Sequence, residues 1–394
     1  MVTSPVHHCC PEARSYLMKN DNHDITGVYL GRYHPTVLGV IFGITPGETT
    51  LDQEYAKAVR ASRLGVHTVT DVSTNGDPTL RRRVLESLDI VFGTVPTYDI
   101  HRRIRRKGKD PRTAVLSVLE EHAADGVDFL TIHASGSLSE ASRLGVNDRV
   151  IPVTSRGGAM MAEVMTVAGH ENPYWEYFDD VLELCRAQDI ALSLAGTFRP
   201  GSVVDAMGPV HLGEVRRQAD LVKRAHAMGV KVSVELINHV PLNLIPEYCE
   251  LGKETLDGCP FGGLGPSPTD IAVTYDDVAG AIGAATAVMH GTSWITCVTA
   301  GEHCHMPTID DMTQAVKYFQ IATHIGHIAR TRDLSRDAEL SEARNRNDWA
   351  VMAKTAIHHE DAVVRFEHEG YHDGQSCSMC GGACPLVRAK TIPS

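Results

Sequence analysis

The stretch RTAVLSVLEEHAADGVDFLTIHA (112–134) decides the fold class. Its first part spaces Ala, Val and Leu along one face of a helix. Gly126 then offers the left-handed conformation that closes a helix, and a near-continuous apolar run follows at once. That run ends on a polar residue, His133. Helix, glycine, buried strand and a polar residue at the strand's carboxyl end form the repeat of a parallel α/β sheet.

Working outward, the unit recurs. Strand-like runs stand at LGVIFGIT (38–45), VHTVTDV (66–72), IVFGTVP (90–96), VIPVTS (150–155), IALSLAGT (190–197), VKVSVELI (230–237) and SWITCVTA (293–300). Helical patterns lie between most of them, among them LDQEYAKAVRASRLG (51–65) and LGEVRRQADLVKRAHAMG (212–229), with Gly65 and Gly229 as further stops. With 127–134 the runs fit a closed (β/α)8 TIM-type barrel better than an open sheet. The expected organisation is an irregular N-terminal arm over 1–36, a barrel over 37–330, and a helical extension with a C-terminal cluster-binding segment over 331–394.

The 394 residues are 43% hydrophobic and 22% charged, which excludes disorder and low complexity for most of the chain. A formal charge of −12 gives no electrostatic pull toward nucleic acid or anionic membranes. No apolar run approaches the ~18 residues of a membrane span. The N-terminus lacks a basic segment followed by an apolar one, so the expected location is cytoplasmic. There the ten cysteines stay reduced, and with 21 histidines they point to metal chemistry.

Cys377, Cys380 and Cys384 are spaced C-x2-C-x3-C. Three close thiolates can hold three irons of a four-iron cluster and leave the fourth iron open, which suits S-adenosylmethionine or substrate. Half of a zinc knuckle and a redox CxxC are the alternatives, with Cys9 and Cys10 as distant partners. Asp71, Tyr98, His133, Ser155 with Arg156, Arg199, Glu235 with His239, and Glu302 with His303 fall at or just past expected strand ends, which a barrel gathers on one face. His239 and His303 suit a divalent ion, although each alone also reads as a hydrogen-bonded structural residue, and Cys304 and His305 compete as ligands. Glu235 and Glu302 are near enough for proton transfer or for orienting the ligands. Ser155-Arg156-Gly157-Gly158 offers backbone amides and a guanidinium to an anion, or forms an ordinary tight turn.

GTVPTY (93–98), GVDFLTIHA (126–134), SRGGAMMA (155–162), LSLAGTFRPGS (192–202), VELINHVP (234–241), PFGGLGPSPTDIA (260–272), CVTAGEHCHMP (297–307) and CSMCGGAC (377–384) resemble, in order, the phosphomethylpyrimidine synthase family of the radical S-adenosylmethionine superfamily. The resemblance implies a (β/α)8 barrel homodimer with a mobile C-terminal segment closing over the barrel. It implies a four-iron, four-sulfur cluster on Cys377, Cys380 and Cys384, S-adenosylmethionine, an external electron donor such as flavodoxin or ferredoxin, and a mononuclear zinc or iron on His239 and His303. Substrate contacts would fall on Tyr98, His133, Ser155, Arg156, Gly157, Arg199 and Glu235. The implied reaction rebuilds aminoimidazole ribonucleotide into the thiamin pyrimidine.

The chain departs from the family pattern in its lining. The last cysteine gap is one residue short, the acidic residue of the family's D-G-L-R is Gly196, and a Tyr is Gly262. A Met is Thr70, the Asn-rich segment is IFGIT, and G-P-G-H reads LINH. These changes predict a divergent paralogue and a vacant space at Gly262. The alternatives are the same chemistry on another substrate in specialised metabolism, a hydroxybenzimidazole synthase-like reaction, or a non-catalytic metabolite- or metal-binding protein.

Overall fold

A computed structural model describes residues 14–20, 23–146 and 148–392. Eight parallel strands close into a barrel: β3 (Val37–Phe42), β4 (Thr68–Asp71), β5 (Val91–Thr94), β6 (Phe129–Ile132), β7 (Ala191–Leu194), β8 (Val232–His239), β9 (Phe261–Ser267) and β10 (Trp294–Thr296). β10 pairs with β3 and closes the ring. The architecture is the (β/α)8 TIM-type barrel that the alternation of strands and helices predicts.

The repeat at 112–134 shows how sequence makes the unit. Asp110 accepts the Thr113 backbone N–H at 2.9 Å and Pro111 opens the helix Pro111–Ala124; such a cap contributes about 1 kcal/mol. Val115, Val118 and Leu119 are fully buried against the sheet, and each such side chain contributes ~1.5–3 kcal/mol by leaving water. Gly126 takes φ +92° and turns the chain into β6.

Two expectations for the strands need correction. VIPVTS is not a strand: Pro152 has no N–H for a ladder, and the Val150 and Ile151 N–H groups donate to the Asp205 carboxylate at 2.9 and 3.0 Å. The eighth strand is instead FGGLGPS, β9, whose glycines hide it from any apolar pattern. A β-carbon at Gly263 would lie 2.0 Å from the Ile237 carbonyl oxygen, so glycine is what lets β9 lie against β8.

The arm is also more ordered than expected over its described residues. β1 (Ser15–Met18) and β2 (Val28–Gly31) form an antiparallel hairpin. Met18, Ile25 and Leu30 pack with Val37, Val91, Phe129 and Ala191 at the amino-terminal end of the barrel strands. The buried Asp128 carboxylate ties this plug in, accepting from the Asn20 and Phe92 N–H groups at 2.7 Å each and bonding His23 Nδ1 at 2.9 Å. Residues 1–13, with Cys9 and Cys10, lie outside the described residues.

The chain divides into two compact units, Met1–Arg330 and Thr331–Ser394. The second holds the helices Ser335–Arg346, Trp349–Thr355 and His359–His368. Trp349 stacks on Tyr371 with centroids 4.2 Å apart and donates its indole N–H to the Gln375 carbonyl at 3.0 Å. The Tyr371 hydroxyl lies 3.0 Å from the Ser378 hydroxyl. These contacts anchor the loop that runs into Cys377. Among the described residues no helix is long and apolar enough to cross a membrane.

Candidate active site

The barrel gathers most of the expected residues. Tyr98, His133, Ser155, Arg156, Arg199, His239, Glu302 and His303 line one cavity at the carboxyl ends of the strands. A second space continues into the barrel, shares Tyr98, His133 and Arg199, and adds Glu235, Thr131, Ser193, Ser233 and Trp294. Asp71 lines neither: its carboxylate accepts the Ser73 N–H at 2.8 Å and serves the turn after β4. Cys304 and His305 border a neighbouring pocket, reached past Arg156, Glu302 and His303.

The Ser-Arg-Gly-Gly run opens the helix Arg156–Ala168. Ser155 caps it, accepting the Gly158 N–H at 3.1 Å. A β-carbon at Gly157 would lie 2.3 Å from His133 Cε1, and one at Gly158 would lie 1.8 Å from the Thr197 carbonyl oxygen. Both glycines therefore bring the helix start hard against the site. Its free N–H groups and Arg156, whose guanidinium carbon lies 5.5 Å from the Tyr98 ring centroid, can hold an anion there.

His239 ends β8 and His303 follows β10. Their rings meet edge to face with centroids 5.1 Å apart. His239 Nδ1 bonds Asp270 at 2.8 Å and His303 Nδ1 bonds Asp276 at 2.9 Å. A carboxylate on Nδ1 fixes each ring and leaves Nε2 as the ligand atom. This donor set fits a divalent ion. Among the described residues no group of three or more His, Cys, Asp or Glu is placed to hold one. Nothing in the sequence spacing marked Asp270 or Asp276, which lie in the segment between the two histidines.

Glu235 is clamped. Asn238 Nδ2 donates to its Oε1 at 2.7 Å, and Arg199 Nε lies 3.3 Å from the same oxygen as an ion pair. Arg199 also donates to the Gly196 carbonyl at 3.1 Å. A β-carbon at Gly196 would sit 2.8 Å from Arg199 Cβ, so the arginine stem occupies the room beside that glycine. The vacancy expected at Gly262 does not exist either. A β-carbon there would lie 2.1 Å from the Trp294 carbonyl oxygen and 2.4 Å from its indole ring, because the paired strand β10 fills the place.

In the second unit Cys377, Cys380 and Cys384 are free thiols around a tight turn, with the 3-10 turn Gly381–Ala383 between the last two. The backbone N–H groups of Val387 and Leu386 hold the Cys384 thiol below its usual range, favouring the thiolate that iron needs. Three thiols are the right donor type for a cluster with three protein ligands, although in this structure they are not gathered into one metal-holding group.

The sequence matches the model of the radical SAM ThiC family over residues 4–391. It is 36% identical over 389 residues to a protein of Pelotomaculum thermopropionicum named phosphomethylpyrimidine synthase, covering 97% of this chain and 90% of that one. It is 38% identical over 351 residues to a Methanopyrus kandleri protein of the same name, covering 87% and 82%. Among solved structures, Yersinia pestis dihydropteroate synthase in a sulfonamide complex aligns with a TM-score of 0.48 and 13% identity, over 78% of this chain and 98% of that one.

Proposed function

The chain belongs to the radical SAM ThiC family, and from that membership we propose an enzyme that rearranges or fragments aminoimidazole ribonucleotide or a closely related small anionic substrate. One observation carries the reading. The anion-binding helix start at Ser155-Arg156-Gly157 and the carboxylate-backed pair His239 and His303 open onto a single cavity.

When bound, the cluster supplies the electron that cleaves S-adenosylmethionine to a 5′-deoxyadenosyl radical. Cys377, Cys380 and Cys384 would hold it, and His239 and His303 would hold a divalent zinc or iron. This chain's residues then do the positioning. Arg156, Ser155 and the amides after it bind the substrate's phosphate. Tyr98 and His133 border the part of the cavity that leads into the barrel and orient the rest of the molecule. Glu235, already bonded to Asn238 and paired with Arg199, holds a substrate donor rather than moving a proton. Glu302, with no hydrogen bond from its carboxyl to another described residue, is the group free to hold or move one.

A second reading, the same chemistry on a different substrate or toward a different product, draws on the rebuilt lining. The places of the family's Asp and Tyr are taken up by the Arg199 stem and the Trp294 ring. We also assign the protein to the cytoplasm, with a flavodoxin- or ferredoxin-type donor, and to a homodimer. Val278, Ile282 and Met289 on the helix Asp276–Met289 and Ile321 and Ile325 on the helix Ile309–Thr331 are exposed. The two helices touch where Gly326 meets Ala285 and Val288, so their apolar residues suit a second copy.

Complementation of a strain lacking its thiamin-pyrimidine enzyme decides between the readings. Growth without added pyrimidine assigns the thiamin reaction. No growth with soluble, cluster-loaded protein assigns the divergent one.

A further inference from the structure

His133 is locked by a buried chain of hydroxyls that no part of the proposed reaction requires. Its Nδ1 lies 3.1 Å from Thr97 Oγ1, and Thr97 Oγ1 lies 3.2 Å from the Tyr174 hydroxyl. Thr97 and Tyr174 are fully buried and His133 is 4% exposed. Desolvation pushes the His133 pKa down to about 3, with Arg199 adding to the shift, so the ring is neutral and carries one N–H.

The proton's place follows from counting donors. Thr97 and Tyr174 each have one O–H, and the imidazole has one N–H. If Nδ1–H donated to Thr97, the threonine could donate to Tyr174, stranding the tyrosine proton, or accept from Tyr174 as well, stranding its own. A stranded buried donor costs ~1–3 kcal/mol. The order Tyr174 to Thr97 to His133 Nδ1 places both buried hydroxyl protons and leaves the ring's N–H on Nε2, at the cavity. Nε2 has no partner among the described residues, and His133 lines both the mouth cavity and the space beneath it.

We infer that Tyr174 and Thr97 are positioning residues that fix His133 as its Nε2–H tautomer, so that the site meets its substrate there with a hydrogen-bond donor. The matching substrate group is an acceptor: a phosphate or hydroxyl oxygen, a carbonyl, or an unprotonated ring nitrogen. An ammonium, or a group that offers only an N–H, is excluded from that position. The inference rests on the proposed function only for the statement that a substrate occupies this cavity. The tautomer itself is a property of the free protein.

The test is long-range ¹H–¹⁵N correlation spectroscopy on full-length protein labelled at histidine, with His133 assigned by the signal lost in His133→Gln. The expected result is a protonated Nε2 and an unprotonated Nδ1, unchanged between about pH 6 and pH 8. Tyr174→Phe and Thr97→Val should relax the ring toward a mixture of tautomers, and Thr97→Ser should restore the single form. A proton on Nδ1 in the unmutated protein, or a tautomer indifferent to Tyr174→Phe and Thr97→Val, would overturn the inference. Because no substrate or cofactor is present, that result would leave the reading of the reaction standing. The unmutated protein alone decides the main point if a variant fails to fold.

Discussion

Asn238 donates its side-chain amide to Glu235 Oε1 at 2.7 Å, and that one oxygen also faces Arg199 Nε at 3.3 Å. Arg199 and Glu235 are both largely buried, at 14% and 9% side-chain exposure. Removing the arginine strands a carboxylate, and Arg199→Met should cost about 2–4 kcal/mol. Asn238→Ala should cost about 1 kcal/mol. Urea unfolding of both single variants and the double variant should show a coupling of at least ~0.5 kcal/mol. Strict additivity would mean that the two donors do not share Glu235.

Asp270 and Asp276 should act through the histidines they hold. Asp270→Asn and Asp276→Asn keep the shape and weaken the acceptor on Nδ1. Each should lower zinc affinity by about tenfold to a hundredfold, measured by competition with a chelating dye. His239→Ala/His303→Ala should lose the mononuclear metal by elemental analysis and keep the cluster iron. Full metal occupancy in that double variant would shift the assignment to Cys304 or His305.

Glu214 gives stability a pH dependence. Its carboxylate accepts the Thr197 and Phe198 N–H groups and the Ser135 hydroxyl, which fixes the loop before Arg199. Burial outweighs those bonds and raises its pKa to about 7. The folded state thus binds this proton more tightly than the unfolded chain. The stabilisation is full below the unfolded pKa of about 4.3 and is lost as pH rises through about 7, on the order of 3 kcal/mol in all. Glu214→Gln removes that slope. Urea midpoints at about pH 5 and pH 8 should therefore fall further for the unmutated protein than for the variant, and parallel falls would refute the assignment.

The lining cannot be returned to the family pattern at one position. At Gly262 the obstacle is the Trp294 backbone as well as its ring. Gly262→Ala should cost about 1–3 kcal/mol by overpacking, read as a lower thermal midpoint. A neutral result would show that β10 yields easily and that a larger residue could be accommodated there.

What was legible in the sequence follows the same physics. β3 to β6 could be read because buried parallel strands are apolar runs and glycine stops, such as Gly126 before β6, mark their helices. β9 could not, because its glycines serve close strand approach and look like a turn. VIPVTS misled because its apolar residues lie in a loop held by Asp205, with Val150 exposed. The mouth residues could be read from their place after strands. Asp270, Asp276, Asn238, Thr97 and Tyr174 could not, because their roles are hydrogen bonds across the fold that leave no periodic trace in the chain.

The loop before the cysteines is held by aromatic contacts that need no iron. Tyr371→Phe removes the hydroxyl that lies beside Ser378 and keeps the stack on Trp349. It should lower the iron retained after anaerobic reconstitution and gel filtration, by about twofold or more for the hydrogen bonds lost to the Ser378 hydroxyl and N–H. Unchanged iron content would show that the thiols order the loop by themselves.

Radical S-adenosylmethionine chemistry on an anionic imidazole nucleotide is the reaction proposed for this chain. Its most direct measurement is the 5′-deoxyadenosine formed when reconstituted protein is incubated anaerobically with reductant, S-adenosylmethionine and aminoimidazole ribonucleotide, with mass analysis of every product. The expected result is 5′-deoxyadenosine with the unmutated protein, none with Cys377→Ala, and more when the nucleotide is present, together with a new nucleotide-derived product. A fully cluster-loaded protein that forms no 5′-deoxyadenosine with or without the nucleotide would contradict it.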